Sequence, residues 1–339
     1  MGFFLWVIWG VVLYLSTMAL VFHLHRVVDY LLTIAYVSSI FFAKKGILSK
    51  ISKRSNPMKK IILLALLALL IPTKTTATEQ QPPPANSAEV PIIMYHLITE
   101  NPKYIGKYGV TPKELASDLQ YLKENNYTTV VMKDLIDFIN HDTPLPEKPI
   151  VLTFDDGNFS DYQYLYPLLK EYNMKAVLAI IGKATDENTK LMEKYPTSRH
   201  PNMSWAQALE LHESGLFEIQ SHGYDMHGRS GSGEKRGEDL HTYHTRLYND
   251  LNKLQNLCQE HLKYKPNTFV YPLGVIGKES RTVLEKLDMQ ASLSCQEGIN
   301  VLRPGDVDSL FKMYRYNRPS DKPLQSILEN AIKIHRKKS

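Results

Sequence analysis

Cysteine is nearly absent. Two residues in 339, Cys258 and Cys295, exclude a disulfide framework and a thiolate zinc cluster. Cys258 lies in a helical pattern, where a role as a small buried apolar residue and a bond to Cys295 are both open. Zinc-finger spacings and the aromatic signature of an RNA-binding sheet are missing as well. Strong charge of one sign is missing from the body of the chain. The formal net charge is +5, but residues 1–60 hold eight basic side chains against one acid, Asp29, so the remainder sums to −2. A near-neutral body has no electrostatic footprint for a phosphate backbone, which excludes nucleic acid as a partner.

What the chain has in abundance at its start is apolar sequence. Of the runs 3–22, 27–43 and 61–71, the first is long enough to cross about 30 Å of hydrocarbon as a helix, the second is marginal and the third too short. Met58-Lys59-Lys60, a Leu/Ile/Ala run and a small-residue end give 58–77 the look of a secretory signal or an anchor. Residues 1–57 are then either transmembrane helices or a mis-assigned upstream start. In both cases the positive-inside tendency or the signal leaves the body outside the cytoplasm, membrane-anchored or secreted at the cell surface. Residues 78–88, with Pro82, Pro83 and Pro84, read as an extended linker. Residues 89–325 are expected to form the main folded domain and 326–339 a basic tail.

From Val90 onward, short apolar runs alternate with segments of helical period, which predicts an α/β fold with parallel strands. Strands are expected at 90–95, 128–131, 149–154, 176–181, 217–220, 268–271 and 291–294. Helices are expected near 111–125, 133–140, 161–172, 204–214, 242–261 and 280–287. Such a succession suits a (β/α) barrel, whose chemistry gathers at the C-terminal ends of the strands. The glycine-rich stretch 228–237 is either a mobile loop over the site or a surface insertion.

Two motifs fall at such strand ends. Thr153-Phe154-Asp155-Asp156-Gly157 closes one strand, and Ser221-His222-Gly223-Tyr224-Asp225-Met226-His227 follows another. Alone, the carboxylates would serve as a helix cap or a solvated turn. Paired with two imidazoles five residues apart, they point to metal ligation by nitrogen and oxygen.

Thr-Phe-Asp-Asp-Gly followed roughly 65 residues later by Ser-His-x-x-x-x-His resembles the polysaccharide deacetylase pattern (NodB homology, carbohydrate esterase family 4). Val-Pro-Ile-Ile-Met-Tyr95-His96, the Tyr-Pro-Leu-Leu-Lys after the Asp pair, and Phe-Val-Tyr271-Pro272-Leu273-Gly274 follow in the family's order. The resemblance covers about residues 88–320. Its histidine spacing is similar to that of the poly-N-acetylglucosamine deacetylase branch.

The resemblance implies a distorted (β/α) barrel of the NodB type. It makes Asp156, His222 and His227 ligands of a divalent metal, zinc foremost, with cobalt, nickel and manganese as alternatives. Asp155 would be the general base, the backbone N–H at Leu273 an oxyanion donor, and Tyr271 and His96 substrate contacts. Asp225 is either a hydrogen-bond partner of a ligand or a loop carboxylate. Tyr104, Tyr108 and Trp205 either stack on sugar or pack. The implied reaction is N-deacetylation of an N-acetylglucosamine polymer with release of acetate. An O-acetyl glycan esterase and a membrane-tethered glycan-binding protein are the alternatives. Two family features are missing: Pro266-Asn267-Thr268-Phe269 has no arginine to orient Asp155, and no late Leu-x-His supplies a general acid. His335 lies too near the terminus to replace it.

Overall fold

Proline sets the first boundary. In the computed structural model, which describes residues 87–195 and 201–338, Pro91 has no N–H to give a ladder and divides the expected first strand into β1 (Ala88–Val90) and β2 (Ile92–Tyr95). The apolar segments within 1–57 and 58–77, and most of the linker 78–88, lie outside the described residues. Among the described residues no helix is long and apolar enough to cross a membrane.

Two short strands follow, β3 (Leu97–Ile98) and β4 (Gly109–Val110). Helix α1 (Pro112–Glu124) opens on a capping box, with Thr111 and Glu114 each accepting the other's backbone N–H. Next come β5 (Thr128–Thr129), α2 (Met132–His141) and the eight-residue β6 (Pro149–Asp156). A π-helical turn (Asp161–Leu165) runs into α3 (Tyr166–Tyr172). Then follow β7 (Ala176–Ile180), α4 (Gly182–Lys194), α5 (Trp205–Glu213), β8 (Phe217–Ser221) and α6 (Leu240–Leu262). The described chain finishes with β9 (Thr268–Val270), α7 (Ser280–Lys286), β10 (Ala291–Leu293), β11 (Asn300–Leu302), β12 (Tyr316–Asn317) and α8 (Leu324–Lys338).

The main sheet is parallel and curled, in the order β10-β9-β8-β7-β6-β2-β12, with β5 paired to the start of β6. Strands β2, β6 and β7 are buried on both faces, which is why they read as nearly continuous apolar runs rather than alternations. Ile150, Leu152, Phe154, Leu178 and Ile219 pack outward with the surrounding helices. Val151, Val177, Ala179, Val270 and Leu293 form a separate cluster on the inner face. By the two-residue period of a strand, Thr153 and Asp155 share the inner face with Val151. Residues 313–317 span the gap between the two edges of the sheet. Met313 bridges Leu293 beside β10, and β12 pairs with Ile93 and Met94 of β2.

Several expectations change. Residues 326–338 belong to α8 instead of forming a tail, because Leu324, Leu328 and Ala331, spaced four and three apart, bury one face of that helix. Helix α4 escaped the sequence reading because its inward positions are Gly182, Thr185 and Asn188, which make no apolar stripe. The stretch 228–237 is anchored against residues 275–278. Ser232 is buried and donates to the Val275 carbonyl at 2.7 Å, and Glu234 accepts the Lys278 N–H. Cys258 and Cys295 are both free thiols.

Candidate active site

Both motifs lie at the C-terminal rim of the sheet, and backbone geometry aims them. Asp155 ends the inner face of β6. Asp156, immediately after it, adopts the left-handed region at φ 79°, followed by Gly157 at φ 69°. A non-glycine residue there is costly and persists only where its surroundings hold it. Here Asn202 donates to the Asp156 carbonyl at 3.1 Å and Met203 N–H to that of Gly157.

His222 follows β8 directly. Its Nδ1 donates to the Val270 carbonyl at 2.8 Å, which leaves the Nε2 lone pair facing the site. Burial lowers its pKa and keeps the ring neutral. The loop to His227 is pinned from α6, where the Asp250 carboxylate accepts the N–H groups of Tyr224 and Asp225 at 2.6 and 2.8 Å. A Cβ on Gly223, whose φ is 82°, would stand 3.1 Å from that carboxylate, so this turn requires glycine.

Asp156 Oδ1 then lies 3.2 Å from His227 Nε2 and 3.6 Å from His222 Nε2. One ligand atom from each residue lies within 4.8 Å of the others. Asp156 Oδ1 is buried and has no hydrogen-bond partner. Burial opposes its ionisation, yet the neighbouring His227 and His222 hold its pKa below the usual carboxylate value. An ionised, unpartnered oxygen beside two imidazole nitrogens is a donor set that fits a divalent cation, with two nitrogens and one oxygen and the rest of the shell left open.

The residue orienting Asp155 comes from the seam between the sheet edges. Arg315, wholly buried, reaches Asp155 Oδ1 from Nη1 at 2.8 Å and Oδ2 from Nη2 at 3.0 Å. Its remaining N–H groups go to the Ser294 carbonyl, Thr153 Oγ1 and Cys295 Sγ, so the guanidinium is fully engaged. Burial would raise the Asp155 pKa, but Arg315 first, then His222 and His96, bring it to about 2. Nothing local in Met313-Tyr314-Arg315-Tyr316 marks this arginine, because its role depends on where the seam runs.

His96 directly follows β2. Both Asp155 and Asp156 lie in its electrostatic field, its Nδ1 is buried without a partner, and its ring meets Tyr108 at 4.8 Å. Tyr271 does not reach the mouth. Its side chain is buried against Phe269 and its hydroxyl is bonded to Ser280 Oγ at 2.8 Å, so the expectation of a substrate contact is corrected. Leu273 sits at φ 58° with its side chain 54% exposed, in a turn whose Gly274 rests against Cys295. Asp225 pairs with Lys183 and touches neither histidine ligand. Trp205 is buried, stacked on His261 and bonded to Asp186, whereas Tyr104 and Tyr108 are exposed. His335 pairs with Glu89 of β1.

A family model described as polysaccharide deacetylase matches residues 142–292, which carry the Asp pair and both histidines. That stretch carries a polysaccharide deacetylase domain. The chain is 24% identical over 196 residues to the poly-beta-1,6-N-acetyl-D-glucosamine N-deacetylase of Staphylococcus aureus MRSA252, covering 58% of this chain and 64% of that one. It is 26% identical over 249 residues to the protein of the same name from Escherichia coli K12, covering 68% and 36%. The match thus spans less than two thirds of either relative. Among solved structures, a de-N-acetylase from Aggregatibacter actinomycetemcomitans superposes with a TM-score of 0.61 at 24% identity, covering 71% of this chain and 99% of that one. IcaB from Ammonifex degensii superposes with a TM-score of 0.56 at 23% identity, covering 69% and 93%. These superpositions establish the fold.

Proposed function

We propose that this chain is a metal-dependent N-deacetylase of an N-acetylglucosamine-containing polysaccharide at the cell surface. The observation that carries the reading is the ionised Asp155, clamped by Arg315, next to the Asp156-His222-His227 donor set. A fold hosts many functions, so the claim rests on these residues. The names of the curated relatives support the polymer, and the apolar N-terminal sequence supports the location.

Asp156, His222 and His227 would hold the cation, most plausibly zinc, which supplies Lewis acidity toward the acetyl carbonyl and a bound water of depressed pKa. Asp155 is positioned to accept the proton of the attacking water. Arg315 holds both of its oxygens, so the carboxylate cannot rotate away, and keeps it ionised at every physiological pH. His222 stays neutral and oriented through the Val270 carbonyl. His96 is the further imidazole in the field of both carboxylates, and we assign it the protonation of the leaving amine.

The test is acetate release from N-acetylglucosamine oligomers by the full-length chain with added zinc or cobalt, beside Asp155→Asn and His222→Ala. Release by the parent and its loss in both variants is expected. A folded, metal-loaded parent that releases none would refute the reading, and preference for O-acetylated glycans would redirect it to an esterase.

A further inference from the structure

Asp118, near the middle of α1, is 3% exposed and touches none of the reacting groups. Its carboxylate nevertheless gathers three segments. Oδ2 accepts from Arg318 Nε at 2.8 Å and from the Tyr95 hydroxyl at 3.0 Å. Oδ1 accepts from Arg318 Nη2 at 3.1 Å and from the Leu324 N–H at 3.3 Å. Tyr95 immediately precedes His96, and Arg318 stands three residues beyond Arg315. The two arms of the site are therefore tied to one buried anion.

The tie matters because of where it acts: toward β10 the seam is bonded through Met313 to Ser292 and Ser294 and through Tyr314 to Asn300, whereas toward β2 its strand is short. Strand β12 has two residues and pairs only with Ile93 and Met94, while Arg315 N–H bonds to the Gln296 carbonyl and Arg318 N–H to that of Met94. Apolar residues in place of both Asp118 and Arg318 would stabilise this packing as well, since a buried ion pair contributes little net stability over a hydrophobic replacement. What an apolar residue cannot supply is direction. A fork held at both oxygens sets the angle and register of the Arg318 backbone, and hence of Arg315, within a fraction of an ångström.

We propose that Asp118 is a positioning residue: through Arg318 and Tyr95 it holds the seam strand and the end of β2 in common register, setting Arg315 against Asp155 and His96 at the mouth. Its kinetic consequence rests on the deacetylase reading above. Its structural consequence does not, because Arg315 also lies 3.6 Å from the half-buried thiol of Cys295. A seam that slips uncovers that thiol.

The experiment uses the full-length chain carrying Cys258→Ala, with Asp118→Asn, Arg315→Met and the double variant. Cys295 labelling by an aromatic disulfide reagent is followed alongside acetate release. Asp118→Asn is expected to speed labelling about tenfold and lower kcat about 10- to 100-fold with KM within about twofold, the pattern of misplaced machinery. In the Arg315→Met background it should lower kcat by no more than about twofold further, since both changes act on one element. Unchanged labelling, unchanged kcat, or losses that multiply in the double variant would overturn the proposal. Should Asp118→Asn fail to fold, Arg318→Lys keeps the charge without the fork and is expected to show the same two changes. Should the parent release no acetate, the functional reading fails and the labelling rates alone decide this one.

Discussion

Arg315 and Asp155 stand 160 positions apart and form a two-pronged ion pair in which neither partner is exposed to solvent. Such a fork fixes the orientation of the carboxylate as well as its charge. Arg315→Lys retains the charge and loses the fork, and it is expected to lower kcat by about 100-fold with metal content unchanged. Arg315→Met leaves a buried anion without its partner and is expected to cost about 3–5 kcal/mol of stability, read by chemical denaturation.

The donor set predicts a defined metal stoichiometry. One divalent ion per chain is expected by elemental analysis. Chelation should abolish acetate release, with zinc or cobalt restoring it. His222→Ala and Asp156→Asn should each bind the ion at least about 10- to 100-fold more weakly, since each removes one of three protein ligands. Full metal occupancy in both variants would sink the assignment.

His96→Gln separates binding from proton donation. The metal should remain bound, while kcat falls about 100- to 1,000-fold with an amide substrate. An activated ester, whose leaving group needs no proton, should lose far less. Equal losses on the two substrates would remove His96 from the donor role.

Glu218 predicts a pH dependence of stability away from the chemistry. It is buried on β8, accepts from the Lys133 N–H, and burial pushes its pKa up to about 7 from the usual glutamate value of 4.5. The folded state therefore binds the proton more tightly than the unfolded chain. The associated stability is present below about pH 4.5 and is lost as pH rises through about 7. Glu218→Gln is expected to be more stable than the parent at pH 8 by about 2–3 kcal/mol, and no more stable at pH 5. Urea unfolding at the two values measures the difference.

Tyr271→Phe tests a correction. The hydroxyl serves Ser280 and not the mouth, so its removal should cost about 1 kcal/mol of stability and leave kcat and KM unchanged.

What the sequence determined by itself is local. Asp155-Asp156 and His222 each stand at the end of a strand, and a strand's end places the next residues at the rim whatever the rest of the chain does, whereas His227 owes its place to the loop that Asp250 pins. The parallel α/β architecture was legible for the same reason, since strands buried on both faces are written as unbroken apolar runs. Tertiary structure alone decided the rest. Helix α4 turns Thr185 and Asn188 inward, where no hydrophobic period announces it. Tyr271 is carried into the core beside Ser280, although its motif places it at the rim. Arg315 reaches Asp155 only because residues 313–317 cross between β10 and β2, and Asp118 meets Arg318 only because α8 and the seam pack back on α1. A motif specifies the backbone that carries it; the partner of a buried charge is chosen by which distant segments share the same few ångströms.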